Sequence, residues 1–303
     1  MTFPFTRVVV WGGRRDLHSH SHIHRHFFRA AQALGLRAVW VEDEPAARDA
    51  LTPGALVIAA DVWAKHLAPA APQVSYVLHN FDGSHPLCRE LEQSPERLLR
   101  LQVWSNDALG EPWGVARSYY REGRTLFQPW GTDLLAGEFL APIANRESTD
   151  AVFVGAIWSE RSSHGELGNE DAIEELRAAL AANGLAFRHL THVSDAENVE
   201  AVRAARLAPA FAGAWQVSRN YFPCRVFKNV SYGQLAITNV PAMQDLFRGC
   251  GLNTTAVEPM VEEALALADG DYLELVREQQ RIVSHYTYRE SFESFARVFR
   301  ETL

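Results

Sequence analysis

What most constrains this chain is a recurring order. Short apolar runs close on glycine or a polar cluster and alternate with stretches of helical spacing. RVVVWGG (7–13) is β-branched and ends on two glycines, which predicts a buried strand feeding a turn. In FFRAAQALGLRAVWVED (27–43), Phe27, Phe28, Ala31, Leu34 and Leu36 repeat at helical intervals, Gly35 supplies a helix end, and AVWVED supplies a second strand. Strand, glycine turn, helix, strand opens a doubly wound α/β domain. Further strands are expected in 55–63, 73–85, 97–107 and 123–133. The polar tract APIANREST (141–149) has no periodicity and reads as a linker.

After it the order restarts. DAVFVGAIWSE (150–160) is a strand ending at Gly155, and NEDAIEELRAALAANG (169–184) is an amphipathic helix. A strand in 185–193, a helix then a strand in 195–213, a short helix in 225–233 and a strand in 234–240 follow. Nearly all of 259–303 reads as helix. The fold class is therefore α/β, with two Rossmann-like domains facing across a cleft. They are expected at 1–145 and 146–283, with a closing helix at 284–303 that can pack back on the N-terminal domain. In open α/β sheets ligands sit beyond the carboxyl ends of the strands, where the polar clusters of this chain fall.

Charge and cysteine content narrow the partners. A formal net charge of −8 opposes binding to a nucleic-acid backbone and leaves room for a small anion in a local basic pocket. The three cysteines have no CxxC spacing, which fits a reducing compartment, and no apolar run spans a bilayer. The expected location is cytoplasmic, with peripheral membrane contact compatible.

The tract DLHSHSHIHRHFF (16–28) places histidine at 18, 20, 22, 24 and 26. Two imidazoles in an HxH pattern on a strand point the same way and can chelate. DLHSHS resembles the first motif of PHP-type metal phosphoesterases, which implies metal ligands from Asp16, His18 and His20. Against this, the tract follows Gly12–Gly13 and two arginines, so it begins after the strand. No later GxE or DxH partner segment is evident, and Arg14, Arg15 and Arg25 would repel a dication. The other reading is a strand-to-helix turn capped by Ser19 or Ser21, with His22 and His26 on one helical face and the remaining histidines solvated. Such a loop can offer imidazole to a hydroxyl or a phosphate.

The C-terminal half carries SRNYFPCRVFKNVSYGQLAITNVPAMQDLF (218–247). Its Pro223, Arg225, Val226, Phe227, Gly233, Ile237, Thr238, Asn239, Leu246 and Phe247 resemble the donor-binding segment of GT-B glycosyltransferases, in particular the group-1-like family related to spore-maturation proteins. HYTYRESFESF (285–295) resembles that family's closing helix through His285, Thr287, Tyr288 and Arg289. QPWGTD (128–133) and VFVGAIWSER (152–161) match its two junctions. The resemblance implies transfer of a sugar from a nucleotide diphosphate sugar (GDP-, UDP- or TDP-linked) to a glycan, lipid-linked or other hydroxyl acceptor. It implies no required metal and no cofactor beyond the co-substrate, and a role in polysaccharide or glycoconjugate biosynthesis. Two departures stand out: Lys228 occupies the place of the family's second glutamate and Asn220 that of the first. The run 223–233 can also be laid beside the Thr-Glu-Lys motif of α1,3-fucosyltransferases, with Arg225 in the lysine position.

A leaving diphosphate needs positive charge and backbone N–H donors. Arg225 at a helix start, with Lys228 and Arg219 nearby, suits that need, because arginine binds phosphate bidentately and lysine as a point charge. The expected donor-binding residues are Gly155, Trp158, Arg161, Arg219, Asn220, Tyr221, Arg225, Lys228, Asn229, Thr238 and Asn239. On the acceptor side LHNFDGSH (78–85) bunches polar groups after a strand. Asp82, His18 and His20 are the candidate catalytic bases, and Gly13, His22, His79, Asn80 and His85 the candidate acceptor contacts; no metal ligand is assigned. Two rivals remain: the metal phosphoesterase and a non-catalytic sugar-nucleotide binder.

Overall fold

The computed structural model describes residues 3–14, 19–60, 70–79, 85–103, 119–120, 124–159, 168–247, 250–252 and 256–302, with backbone alone at 19, 20, 119, 120 and 302. The chain divides into two compact units. The first takes the described residues of 1–103, 112–128 and 288–303, and the second those of Pro129–Thr287.

The first unit is built on strands β1 (Arg7–Trp11), β2 (Ala38–Val41), β3 (Ala55–Ala60), β4 (Ser75–His79), β5 (Leu98–Gln102), β6 (Tyr119–Tyr120) and β7 (Thr125–Phe127). Their order is β2-β1-β3-β4-β5-β7-β6, parallel except for β6, which runs antiparallel to β7. Six of these strands were expected from their apolar runs; β6, two residues long, was not. The order 2-1-3-4-5 is the flavodoxin-like form of the doubly wound sheet. β3 (ALVIAA) is buried along its whole length, as a central parallel strand covered on both faces must be.

Helix α1 (Ser19–Ala33) already includes Ser19 and Ser21, the two serines expected as its caps, and the position before it lies outside the described residues. It buries Ile23, Phe27, Ala30 and Ala31. Helices α2 (Glu44–Ala50) and α3 (Pro86–Leu91) follow their strands, each with proline in the first turn. Asp43 caps α2, its side chain accepting from the Ala46 N–H at 2.8 Å.

The second unit carries strands β8 (Asp150–Val154) and β9 (Ala186–Leu190), paired in parallel, with helix α4 (Glu170–Ala182) between them. Helices α5 (Asp195–Ala204), α6 (Ala214–Ser218), α7 (Cys224–Ser231), α8 (Pro241–Leu246), α9 (Val257–Ala266) and α10 (Asp269–Val283) complete it. Ile173, Leu176, Ala179 and Leu180 of α4 join Val257, Met260, Val261 and Ala264 of α9 in one core.

The strand expected late in 195–213, over the apolar segment 207–213, and that expected at 234–240 are not formed as ladder members. Among the described residues the first makes a single bridge, Ala151 to Leu207. Pro209 removes one donor from it. The second accepts the Ala210 N–H of the first on Ile237 O at 2.8 Å, and side chains satisfy two of its own donors: Tyr272 Oη accepts from the Leu235 N–H at 3.2 Å and Gln279 Oε1 from the Ala236 N–H at 2.9 Å. The segment 141–149, read as a linker, lies within the second unit. The Leu140 and Ile143 N–H groups just around its start donate to Ser231 O and Gly233 O.

Helix α11 (Tyr288–Thr302) returns to the first unit. Phe292, Phe295, Ala296 and Phe299 repeat on one face and are fully buried. Phe27 meets Tyr288 edge-on at 4.8 Å and Phe292 at 5.9 Å, and Phe5 meets Phe299 at 5.5 Å. Among the described residues no helix is long and apolar enough to cross a membrane.

Candidate functional site

The densest set of expected site residues gathers in the second unit where β8 ends. The sequence PCRVFKNVS makes α7 amphipathic: Val226, Phe227 and Val230 are buried, which leaves Arg225 and Lys228 one turn apart on another side. Arg225 sits in the first turn, where the helix dipole disfavours a cation unless other groups compensate it. Its Nη2 donates to Phe211 O at 3.0 Å and its Nη1 to Val154 O at 3.4 Å. The guanidinium lies over the Phe153 ring, 4.7 Å from its centre. Burial lowers its pKa, opposed by Cys224 and Tyr221; an arginine stays charged regardless. Among the described residues no carboxylate pairs with it. A part-buried cation held only by carbonyl oxygens and a ring keeps N–H donors for an anion.

Gly155 makes this possible. Its φ is +146°, and a methyl group there would overlap Arg225 Nη1. The loop that follows is pinned from several sides. The Gly155 N–H donates to Leu190 O at 2.8 Å, and Gly155 O accepts from His189 Nε2 at 2.7 Å. Asn169, buried just before α4, donates to Ala156 O at 3.1 Å and accepts from the Trp158 N–H at 3.0 Å. Among the described residues the N–H groups of Ala156 and Ile157 have no acceptor. Two backbone donors beside a guanidinium suit an anionic oxygen. Sequence reasoning missed Asn169 and His189. Asn169 looks like an ordinary helix cap, and nothing local in LAFRHLTHV says that His189 turns towards a glycine 34 residues earlier.

Lys228 is engaged differently from Arg225. Its Nζ lies 3.6 Å from Asp133 Oδ2, with side-chain exposures of 12% and 4%. Tyr232 Oη donates to the same carboxylate oxygen at 2.6 Å, and Thr132 Oγ1 to Oδ1 at 3.3 Å. Burial pulls the Lys228 pKa down, but Asp133, with Cys224 and Asp195, outweighs it, so the net direction is up. Tyr232 is raised well above the usual tyrosine value, by burial first and then by Asp133.

The remaining donor-side candidates build the frame. Asn229 Nδ2 donates to Ala208 O at 2.7 Å. The Asn239 amide brackets Ala212, accepting from its N–H at 2.8 Å and donating to its carbonyl at 2.9 Å, as a neighbouring strand would. Thr238 is buried and accepts from the Val240 N–H at 3.3 Å. Asn220 takes φ +50° and turns the chain out of α6 towards Tyr221, whose hydroxyl pKa burial raises. Arg219 and Trp158 are half-buried. Arg161 lies outside the described residues.

In the first unit His24 and His79 are both 0% exposed, and their Nε2 atoms lie 3.0 Å apart. One ring donates and the other accepts, so at least one is neutral at that nitrogen. This corrects the expectation that the histidines other than His22 and His26 are solvated. The cause is Gly12: the His24 ring packs against it so closely that a methyl there would overlap Nδ1. Gly13 O accepts from Ser21 Oγ at 2.8 Å, and His22 is half-buried. His85 caps α3, its Nδ1 accepting from the Leu87 N–H at 3.1 Å. Asp82, His18 and Asn80 lie outside the described residues, as does Asp16; His20 is described by its backbone alone, within α1.

No protein-family model and no curated protein sequence matches the chain. Solved structures do. An alpha-glucosyltransferase in complex with UDP aligns over 95% of this chain and 98% of its own, with TM-score 0.59 and 10% identity. An alpha-glucosyltransferase in complex with UDP and a 13-mer DNA containing a HMU base aligns over 96% and 99%, with TM-score 0.61 and 11% identity. The N-terminal domain of Candida albicans trehalose-6-phosphate phosphatase aligns over 100% and 98%, with TM-score 0.57 and 10% identity. At these identities the likeness is one of fold, and it extends over nearly the whole chain.

Proposed function

We propose that this chain is a GT-B glycosyltransferase of the group-1-like kind, moving a sugar from a nucleotide diphosphate sugar to an acceptor hydroxyl without a required metal. The observation that carries the reading is Arg225. It is a part-buried guanidinium at a helix start with no carboxylate partner among the described residues, beside a pinned glycine loop with two backbone donors in reserve. The shared fold with two UDP-bound alpha-glucosyltransferases supports it.

In this reading the second unit takes the donor. As the bond from the sugar C1 to the diphosphate oxygen breaks, negative charge grows on that oxygen, and Arg225 and the loop N–H groups stabilise it. The acceptor oxygen forms the new bond to C1 and gives up its proton to a base on the first unit, with Asp82, His18 and His20 the candidates. Lys228, already paired with Asp133, acts by holding α7 against the segment containing Thr132 and Asp133. The ribose is recognised without the two glutamates of the family. The net charge of −8 favours a neutral acceptor over a phosphate polymer.

The test is a thermal-shift screen of metal-free protein with UDP, GDP, ADP, TDP and CMP, repeated with zinc and manganese. A ligand at 100 times its Kd adds about 2.7 kcal/mol of stability. One nucleoside diphosphate should stabilise the protein without metal, and Arg225→Ala should weaken that binding by about tenfold to a hundredfold. No response to any nucleotide, or a response only with metal, overturns the reading.

A further inference from the structure

Gly155 is fixed on every side: by Leu190 O on its N–H, by the Arg225 guanidinium against its α-carbon, and by His189 on its carbonyl. The strand register explains the third contact. β8 and β9 run parallel with Phe153 beside His189, so the imidazole needs to reach only two residues ahead to meet Gly155 O. The Phe153 ring neighbours both polar groups, with the His189 ring at 6.0 Å and Arg225 at 4.7 Å.

We propose that His189 is a positioning residue, which acts through the peptide joining Gly155 to Ala156. This rests on the reading of the second unit as a nucleotide site. In a trans peptide the C=O and N–H bonds point opposite ways. By drawing Gly155 O towards itself, His189 turns the Ala156 N–H away from β9 and presents it to an anionic oxygen of the nucleotide. The bond requires a proton on Nε2, which both the imidazolium and one neutral tautomer supply. Without it a glycine at φ +146° has other backbone states within easy reach, and the loop donor loses its fixed direction. Asn169 holds the next carbonyl and the Trp158 N–H, so the loop is restrained at both ends of the Ala156 and Ile157 donor pair.

His189 is exposed, so replacing it leaves the core intact. The experiment is a calorimetric titration of the wild-type chain, His189→Ala and His189→Gln with whichever of UDP, GDP, ADP and TDP stabilises the wild type. The glutamine amide can place an N–H near the position of Nε2. His189→Ala should weaken binding by about fivefold to tenfold. The ligand-free melting temperature should move by no more than about 2 °C. His189→Gln should recover the affinity to within about twofold of wild type. Wild-type affinity in His189→Ala, or no recovery in His189→Gln, overturns the positioning role and leaves the nucleotide reading standing. A wild type that binds none of the four overturns both.

Discussion

Gly155 and Arg225 are 70 residues apart in sequence and act as one unit. Gly155→Ala adds a methyl where Nη1 lies and strains a backbone at φ +146°. The expected outcome is a loss of nucleotide affinity comparable to that of Arg225→Ala, about tenfold or more, measured by the same titration. The Asp133 cluster gives a second prediction. Lys228 and Tyr232 both bind their protons more tightly in the folded protein than their ordinary values of 10.5 and 10.0. A raised folded pKa gives stability that is present below the unfolded value and lost as pH rises through the folded one. Urea unfolding should therefore show stability falling above about pH 10. Tyr232→Phe should fall less than wild type over that range, since one of the two groups no longer titrates. Single residues were partly legible in the sequence. Arg225 and Gly155 stood out because charge at a helix start and glycine at a strand end are local signals. The His24–His79 pair did not, because its partners are 55 positions apart and the tract offered five similar histidines.

At the level of elements, the strands of the first unit were legible because buried parallel strands are written as continuous β-branched runs. The segments 207–213 and 234–240 carry the same apolar writing and do share backbone bonds, from the Val152 N–H to Leu207 O at 3.0 Å and from the Ala210 N–H to Ile237 O at 2.8 Å, yet the side chains of Tyr272, Gln279 and Asn239 take the remaining places of a ladder. Composition cannot distinguish a strand partner from a side chain that imitates one. Helix α5 shows a local signal that holds: Ser194 and Glu197 form a capping box, with the Glu197 N–H donating to Ser194 Oγ at 3.2 Å. Ser194→Ala should cost about 1 kcal/mol in chemical denaturation. Helix α11 is worth far more. Phe292 is fully buried against Phe27 and Phe295, and Phe292→Ala should destabilise the first unit by about 3–5 kcal/mol in the same measurement.

For the whole molecule, the second unit is an insertion between two parts of the first. The chain enters and leaves it side by side: the Thr132 N–H donates to Tyr286 O at 3.0 Å, Thr132 bridges Thr287, and a methyl at Gly131 would overlap Tyr286 O. The sequence allowed for a returning helix at 284–303 but set the break at 145–146, because a break at 128–129 has none of the polarity of the tract at 141–149. Ending the chain after Thr287 removes α11 and uncovers the face of α1 around Phe27. Hydrogen exchange should then quicken throughout β1, β3 and α1 and stay near wild-type rates in β8 and α4, which draw their cores from other residues.

The same connectivity dictates an order of events on the ribosome. The first unit is begun with β1 but cannot close its core until α11 emerges. At translation speeds of about 5–20 residues per second, its sheet waits on the order of 10–30 s after Gln128 is made. The second unit, encoded later, has all its parts first. The half begun first is finished last, and its apolar α1 face is the surface a nascent-chain chaperone would meet.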